Sequence, residues 1–501
     1  MLYSCAPVVL RGGHVIDPTQ GMNGINDVTV CDGKILGVGD SPAGAEVIDA
    51  RGLYISPGWI DVHVHTYGTL GFADPDSIGI YQGVTSYVEA GGPGIGTIEE
   101  FIELLAGQTT TSLYVGCYLS PMGIIGIEHV EGKARSLYDI PVARWLDMVD
   151  KHRDLIRYLK FGAFSAYGTG PLKVGKGLAE ILELPIYVHI GEFQQQPGRD
   201  SAYEIYRIAG AGDIITHLYH GNACGILDNE GRIRPVVLEA AERGVLFDIG
   251  FGGFNFSWPV AEKAVDQGLW PHLISSDLQQ FNVTGPTFSL ANVMSVFLKL
   301  GMPLADVVER VTAAPAKALS LTDRAGSLKA GMPADLTVFR VEQGQFELKD
   351  TRGAARKGSQ RIVPEMVFKN GVRIACDMGR CQDERNWILQ TCEDHIPEGA
   401  RRFRAPQLAF LARLRDALNQ VDWPATANPE FDLEKIVELH DVFHRVRTSC
   451  ELPLKVALQT VFDSFLEDSF RIQVGVLLMR VGRTLALARL GDLTQDTHLA
   501  A

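Results

Sequence analysis

The stretch Pro57-Gly58-Trp59-Ile60-Asp61-Val62-His63-Val64-His65 sets two histidines two residues apart in an otherwise apolar run. On a strand, residues i and i+2 face the same side, so both imidazoles reach one point. Burying two same-face imidazoles is costly unless each has a partner. The plainer reading is a solvent-facing strand end with incidental histidines. Further candidates follow later apolar runs. Lys160 ends Ile156-Arg157-Tyr158-Leu159-Lys160, and His189 ends Ile186-Tyr187-Val188-His189. His217 follows Ile214-Ile215-Thr216, and Asp277 follows Leu273-Ile274-Ser275-Ser276. Any one of these alone is ordinarily a hydrogen-bonded core residue. Four His, one Lys and one Asp in strand order form a set, and in a barrel such strand ends converge on the catalytic face.

The elements that must position this set can be read from the same pattern. Residues 57–320 alternate buried-strand runs with amphipathic helical stretches, which implies a parallel sheet. Eight such units in about 250 residues match a (β/α)8 barrel. Residues 1–56 are β-rich with Gly/Asp turns, and similar stretches return at Asp335-Leu336-Thr337-Val338-Phe339 and 366–371. The two flanks pair into one small β-domain. From residue 395 the chain turns rich in Leu, Ala, Arg and Glu at helical spacing, read as three or four helices. Within it, 474–490 is strongly apolar but carries Arg480, Arg483 and Arg489, a packing or oligomerising helix. The predicted fold class is therefore α/β: a TIM-like barrel (57–322), a small β-sandwich from both flanks (1–56 and 323–380) and a helical extension (395–501).

The composition narrows the function classes. The 501 residues carry 46 Lys+Arg against 60 Asp+Glu, a net charge of −14. That balance lacks the basic stripe that nucleic-acid binding uses, so no nucleic-acid partner is expected. Eight scattered cysteines suit a reducing cytoplasm better than a disulfide scaffold. Cys376, Cys381 and Cys392 fit no common zinc spacing. Residues 1–5 do not read as a signal peptide, and no apolar run is long enough for a membrane span. The expected partners are a small-molecule substrate and further copies of the chain, with no membrane.

With these residues in hand, the sequence resembles the amidohydrolase superfamily, the binuclear metal-dependent hydrolases that include dihydroorotase and hydantoinase. It is most similar to the deacetylase-type members, over roughly residues 5–378. The resemblance also rests on Leu10-Arg11-Gly12-Gly13-His14-Val15-Ile16-Asp17-Pro18, on Thr312-Ala313-Ala314-Pro315-Ala316-Lys317-Ala318-Leu319, and on 326–336. It implies that His63, His65 and Asp277 hold one divalent metal and His189 and His217 a second. Lys160 would bridge them as an N6-carboxylated lysine, with zinc the default ion for such ligands. A metal-bridging hydroxide would attack the scissile carbonyl, with Asp277 as general acid/base.

Substrate contacts are expected from the loops after the strands, from Tyr67, Tyr219, His220 and Asn222. No loop arginine stands out as a carboxylate clamp, so an anionic substrate is not indicated. Two motifs are decoys. Gly170-Pro171-Leu172-Lys173-Val174-Gly175-Lys176-Gly177 imitates a phosphate loop but lacks its Ser/Thr. His440 and His444 are four apart on a helix without the intervening Glu of a zincin, and read as a solvated helix face. The expected activity is N-acyl (acetyl) deacetylation, within a wider class of amide, cyclic amide or ester hydrolysis. The alternatives are a mononuclear deaminase of a small heterocycle, or a non-catalytic scaffold assembled through its helical tail.

Overall fold

The computed structural model describes residues 6–39, 42–67, 74–105, 107–121, 123–126, 142–163, 168–191, 202–280, 282–382, 392, 395–426, 433–466 and 474–495. The N-terminal five residues lie outside them. The chain opens with strands β1 (Val8–Asp17), β2 (Met22–Cys31), β3 (Lys34–Val38), β4 (Glu46–Asp49) and β5 (Tyr54–Pro57). Seven strands then form one all-parallel sheet: β6 (Trp59–Val64), β7 (Val84–Gly94), β8 (Ser112–Tyr118), β9 (Ile156–Gly162), β10 (Ile186–His189), β11 (Ile214–Thr216) and β12 (Leu246–Phe247). They lie side by side in chain order, as right-handed β–α–β connections produce. Every residue of β6 and of β7 is buried, the signature of strands covered on both faces.

The two outer strands of this sheet are both bridged by segment 273–278. Leu278 pairs in parallel with Val64 of β6, and Leu273 with Asp248 just beyond β12. The Asp277 N–H donates to the His63 carbonyl at 2.7 Å, and the Phe251 N–H to the Ser275 carbonyl at 3.2 Å. Eight parallel segments thus stand in a TIM-like arrangement. The Gly170 motif lies in helix Gly170–Leu182, so its residues form no phosphate-cradling loop.

The flanks meet as expected, but their hydrogen bonds describe a single mixed sheet. Strands β13 (Leu336–Lys349), β14 (Ala355–Lys369) and β15 (Val372–Ala375) complete the order β15-β14-β13-β5-β1-β2-β3, with β4 on β1. Buried Leu10, Val28, Ile55, Leu336 and Phe368 share its core. The β13–β14 hairpin is long, and its turn reaches the barrel loop after β12. There the Trp258 N–H donates to Asp350 Oδ2 at 3.1 Å and Thr351 Oγ1 donates to the Phe256 carbonyl at 2.8 Å.

The tail contains helices Ala405–Leu418, Leu433–Ser449, Leu454–Phe465, Val474–Val481 and Arg483–Gln495. They enclose a hydrophobic core of their own, against which Leu104 of the barrel helix Ile98–Leu105 packs. The apolar run at 474–490 is two helices, and Val474, Val476, Leu477 and Leu478 are fully buried within the chain. Its apolar spacing is therefore accounted for by packing inside the tail. Among the described residues, no helix is long and apolar enough to cross a membrane.

Asp17, buried at the end of β1, joins the two flanks. Its Oδ1 accepts from the Thr19 N–H at 2.9 Å and its Oδ2 from the Leu328 N–H at 2.7 Å. Asp17→Ala leaves the Leu328 donor buried and unpaired. A loss of about 2–3 kcal/mol is expected, measured as a lower urea midpoint.

Candidate metal centre

The six chemistry-bearing residues converge at the C-terminal ends of the parallel strands. His63 lies in β6, His65 just beyond it, Lys160 in β9, His189 at the end of β10, and His217 directly after β11. Asp277 lies in the bridging segment 273–278. His63, His65, Lys160, His217 and Asp277 are all at most 3% exposed. The Nε2 atoms of His63 and His65 each stand 3.3 Å from Asp277 Oδ1. Lys160 Nζ is 3.2 Å from His63 Nε2, and His217 Nε2 is 2.7 Å from His189 Nδ1. His63, His217 and Asp277 each present a ligand atom within 4.8 Å of the others. His217 (φ 71°) and Asp277 (φ 50°) adopt left-handed backbone, an uncommon conformation for non-glycine residues that clusters at functional sites.

Surrounding residues set which imidazole nitrogen carries a proton. The Tyr187 hydroxyl donates to Asp248 Oδ2 at 2.6 Å, so its oxygen is left to accept from His63 Nδ1 at 3.1 Å. Thr216 and Ser275 hydroxyls donate to the same Asp248 oxygen at 2.6 and 2.7 Å. His217 Nδ1 faces the Gly250 carbonyl at 2.7 Å, which can only accept. His65 Nδ1 faces Glu89 Oε1 at 3.3 Å, and Glu89 is itself held by the Thr66 hydroxyl and the Gly92 N–H. With Nδ1 as donor in His63 and His217, the Nε2 of each turns a lone pair inward.

The electrostatics agree with that assignment for His63 and His217 and favour the charged form of His65. Burial, then Lys160, holds His63 and His189 well below the usual imidazole range; burial, then His189, does the same to His217. Burial also opposes charge on His65, but hydrogen bonds to Asp277 and Glu89 outweigh it and raise its pKa to about 9. Burial pushes the Lys160 ammonium down to about 7. The neutral His63 Nε2 and a carboxylate oxygen of Asp277 therefore meet at 3.3 Å, an arrangement that repels itself without a cation among the atoms. The donor set fits divalent metal ions with nitrogen and oxygen preference.

The expected substrate residues divide. His220 is buried, and burial, then Arg352, lowers its pKa to about 4. A Cβ placed on Gly191, two residues past His189, would lie 3.4 Å from the His220 ring, 3.6 Å from the Asn222 amide and 3.7 Å from Asn255 Oδ1. Asn255 Nδ2 is in turn 3.5 Å from Asp277 Oδ2, so these three side chains line the site. Tyr219 instead gives its hydroxyl to the Leu269 carbonyl at 2.6 Å and its ring to Phe256 and Phe297. It has a packing role, contrary to expectation. Tyr67 is fully buried with its ring edge against Phe101.

Other residues escaped the sequence reading. Glu89 and Asp248 had a signal, since each is a carboxylate inside a buried apolar run. Arg352 had none: the β13–β14 turn carries it to the site, where it donates to Asn222 Oδ1. The sequence reading found no loop arginine standing out as a carboxylate clamp; the structure sets Arg352 beside Asn222. The predicted solvated face at His440 and His444 is also overturned, because His440 is buried at 2% exposure.

Residues 258–394 match the Amidohydrolase family. The chain is 35% identical over 354 residues to a deacetylase of Agrobacterium fabrum, covering 69% of this chain and 85% of that one. Its fold is similar to the crystal structure of an adenine deaminase (TM-score 0.67, 29% identity, covering 74% of this chain and all of the other). It is equally similar to that of a dihydroorotase (TM-score 0.66, 32% identity, covering 74% and 98%).

Two substitutions test the supporting groups. Glu89→Gln frees the His65 ring and is expected to weaken metal retention about 10–100-fold, read by dialysis against a graded chelator. Gly252 has φ 59°, and a Cβ there would sit 2.3 Å from Asp277 Oδ2. Gly252→Ala is expected to displace that carboxylate and lower bound metal per chain, while far-UV circular dichroism stays unchanged.

Proposed function

We propose that this chain, which belongs to the amidohydrolase superfamily and is a metal-dependent hydrolase of carbon–nitrogen bonds, removes an acyl group, acetyl first among them, from nitrogen. The observation that carries the reading is the convergence of His63, His65 and Asp277 on one point beside Lys160 and the His189–His217 pair. His63, His65 and Asp277 would hold one ion and His189 and His217 the other, with zinc the proposed metal. Lys160 would lie between them as a carbamate. Its pKa of about 7 keeps neutral amine available near neutral pH; that amine adds to CO₂ and releases a proton to become the anionic ligand. A bound divalent ion supplies Lewis acidity and lowers the pKa of water toward neutrality.

The protein's own groups do the rest. Asp277 Oδ2, the oxygen that Asn255 approaches, takes the proton of the attacking water and returns it to the leaving nitrogen. Neutral His220 and the Asn222 amide would donate to the oxygen of the tetrahedral species. Arg352 beside Asn222 suits an N-acyl substrate that carries a carboxylate. The complete eight-unit barrel, with the boundaries proposed from the sequence, is the scaffold for this chemistry.

The test is a screen of N-acetyl amines, N-acetyl amino acids, cyclic amides and esters with the full chain. Chelation is expected to abolish turnover and added Zn²⁺ to restore it. Asp277→Asn is expected to lower kcat at least about 100-fold, and Lys160→Ala to lose metal relative to the parent. Arg352→Ala is expected to raise KM about tenfold for carboxylate-bearing substrates only. Ammonia release from a heterocycle, with metal content unchanged in Lys160→Ala, would replace this reading with a mononuclear deaminase. No turnover of any class would leave a scaffold.

A further inference from the structure

A second cluster lies where the helical tail meets the barrel. Glu100, on the helix Ile98–Leu105 that follows β7, is 1% exposed. Its Oε2 stands 3.5 Å from His440 Nε2 and 3.6 Å from His444 Nε2, both on tail helix Leu433–Ser449. One helical turn apart, the two imidazoles stack edge-on with centroids 4.5 Å apart. Among the described residues, neither Glu100 carboxylate oxygen has a hydrogen-bond partner, nor has either His440 nitrogen or His444 Nε2. A buried carboxylate facing two imidazoles without a hydrogen bond is unfavourable, because its charge is desolvated and uncompensated.

We propose that Glu100, His440 and His444 form a zinc site, separate from the barrel-mouth centre, that fastens the helical tail to the barrel. Zinc takes imidazole nitrogen and carboxylate oxygen at about 2.0–2.2 Å, which sets tetrahedral ligand atoms about 3.3–3.6 Å apart. The two observed separations match that spacing. His440 is held from behind: a Cβ on Gly475 would meet the Ile436 carbonyl oxygen at 2.2 Å and His440 Cβ at 3.2 Å. The helix Val474–Val481 thus presses close against the ligand helix. Burial keeps His440 below the usual imidazole range, in the neutral form that ligates. With three protein ligands, a water would take the fourth tetrahedral position. The site joins residues 340 or more positions apart and draws on neither Cys376, Cys381 nor Cys392.

The test uses full-length protein loaded with Zn²⁺ and freed of excess by gel filtration. Elemental analysis is expected to find one zinc per chain fewer in His444→Ala and Glu100→Gln than in the parent, whereas His444→Cys, a competent ligand, keeps it. The rise in Tm on adding Zn²⁺ is expected to be at least about 3 °C smaller in His444→Ala than in the parent. Catalytic turnover is expected to be the same in both. Equal zinc content and an equal Tm rise in the parent and His444→Ala would overturn the proposal, leaving a proton-shared Glu–His contact. If Glu100→Gln fails to fold, the His444 pair at the partly exposed rim decides the question.

Discussion

Acceptor atoms gathered in a dry place dominate this molecule. At the barrel mouth, the His63 lone pair and the Asp277 carboxylate face one another at 3.3 Å. Burial removes the water that would otherwise separate them. Such a cluster persists only when a cation sits in it or protons are shared across it, and only when rigid neighbours hold each ring. Much of the barrel can be understood as meeting that second condition. β7 supplies Glu89, the residue after β12 supplies Asp248, and the bridging segment supplies Asp277 itself.

The supports are layered. Asp248 gathers three hydroxyl donors on one oxygen, and one of those hydroxyls, on Tyr187, orients His63. Burial raises the Asp248 pKa while the hydroxyls lower it, so its role depends on the network remaining whole. Gly252 leaves the room that Asp277 Oδ2 occupies. Arg352 arrives from outside the barrel on the β13–β14 turn, which is pinned to the barrel by Asp350 and Thr351. The mixed sheet therefore contributes to the rim of the site as well as joining the chain's flanks.

The tail repeats the same physics in smaller form. Its helices bury their apolar faces on one another. Where they meet the barrel, the contact includes a carboxylate and two imidazoles whose facing polar atoms lack hydrogen-bond partners among the described residues. Hydrophobic contact alone would not select those residues, because burying them costs solvation that Leu or Phe would not.

The sequence by itself determined the alternation of strand and helix, the return of the β-rich flank, and the strand-end order of His63, His65, Lys160, His189, His217 and Asp277. These are local patterns: apolar periodicity, turn residues and short spacings, each contained in a few consecutive residues. Tertiary structure decided which groups orient those residues and what surrounds them. It set Glu89 against His65, turned the Tyr219 hydroxyl to Leu269, carried Arg352 to Asn222, and buried His440 against Glu100. The physical reason is that each of these is a contact between segments well separated along the chain. Side-chain partners of that kind depend on how whole elements pack, and no window of neighbouring residues carries that information.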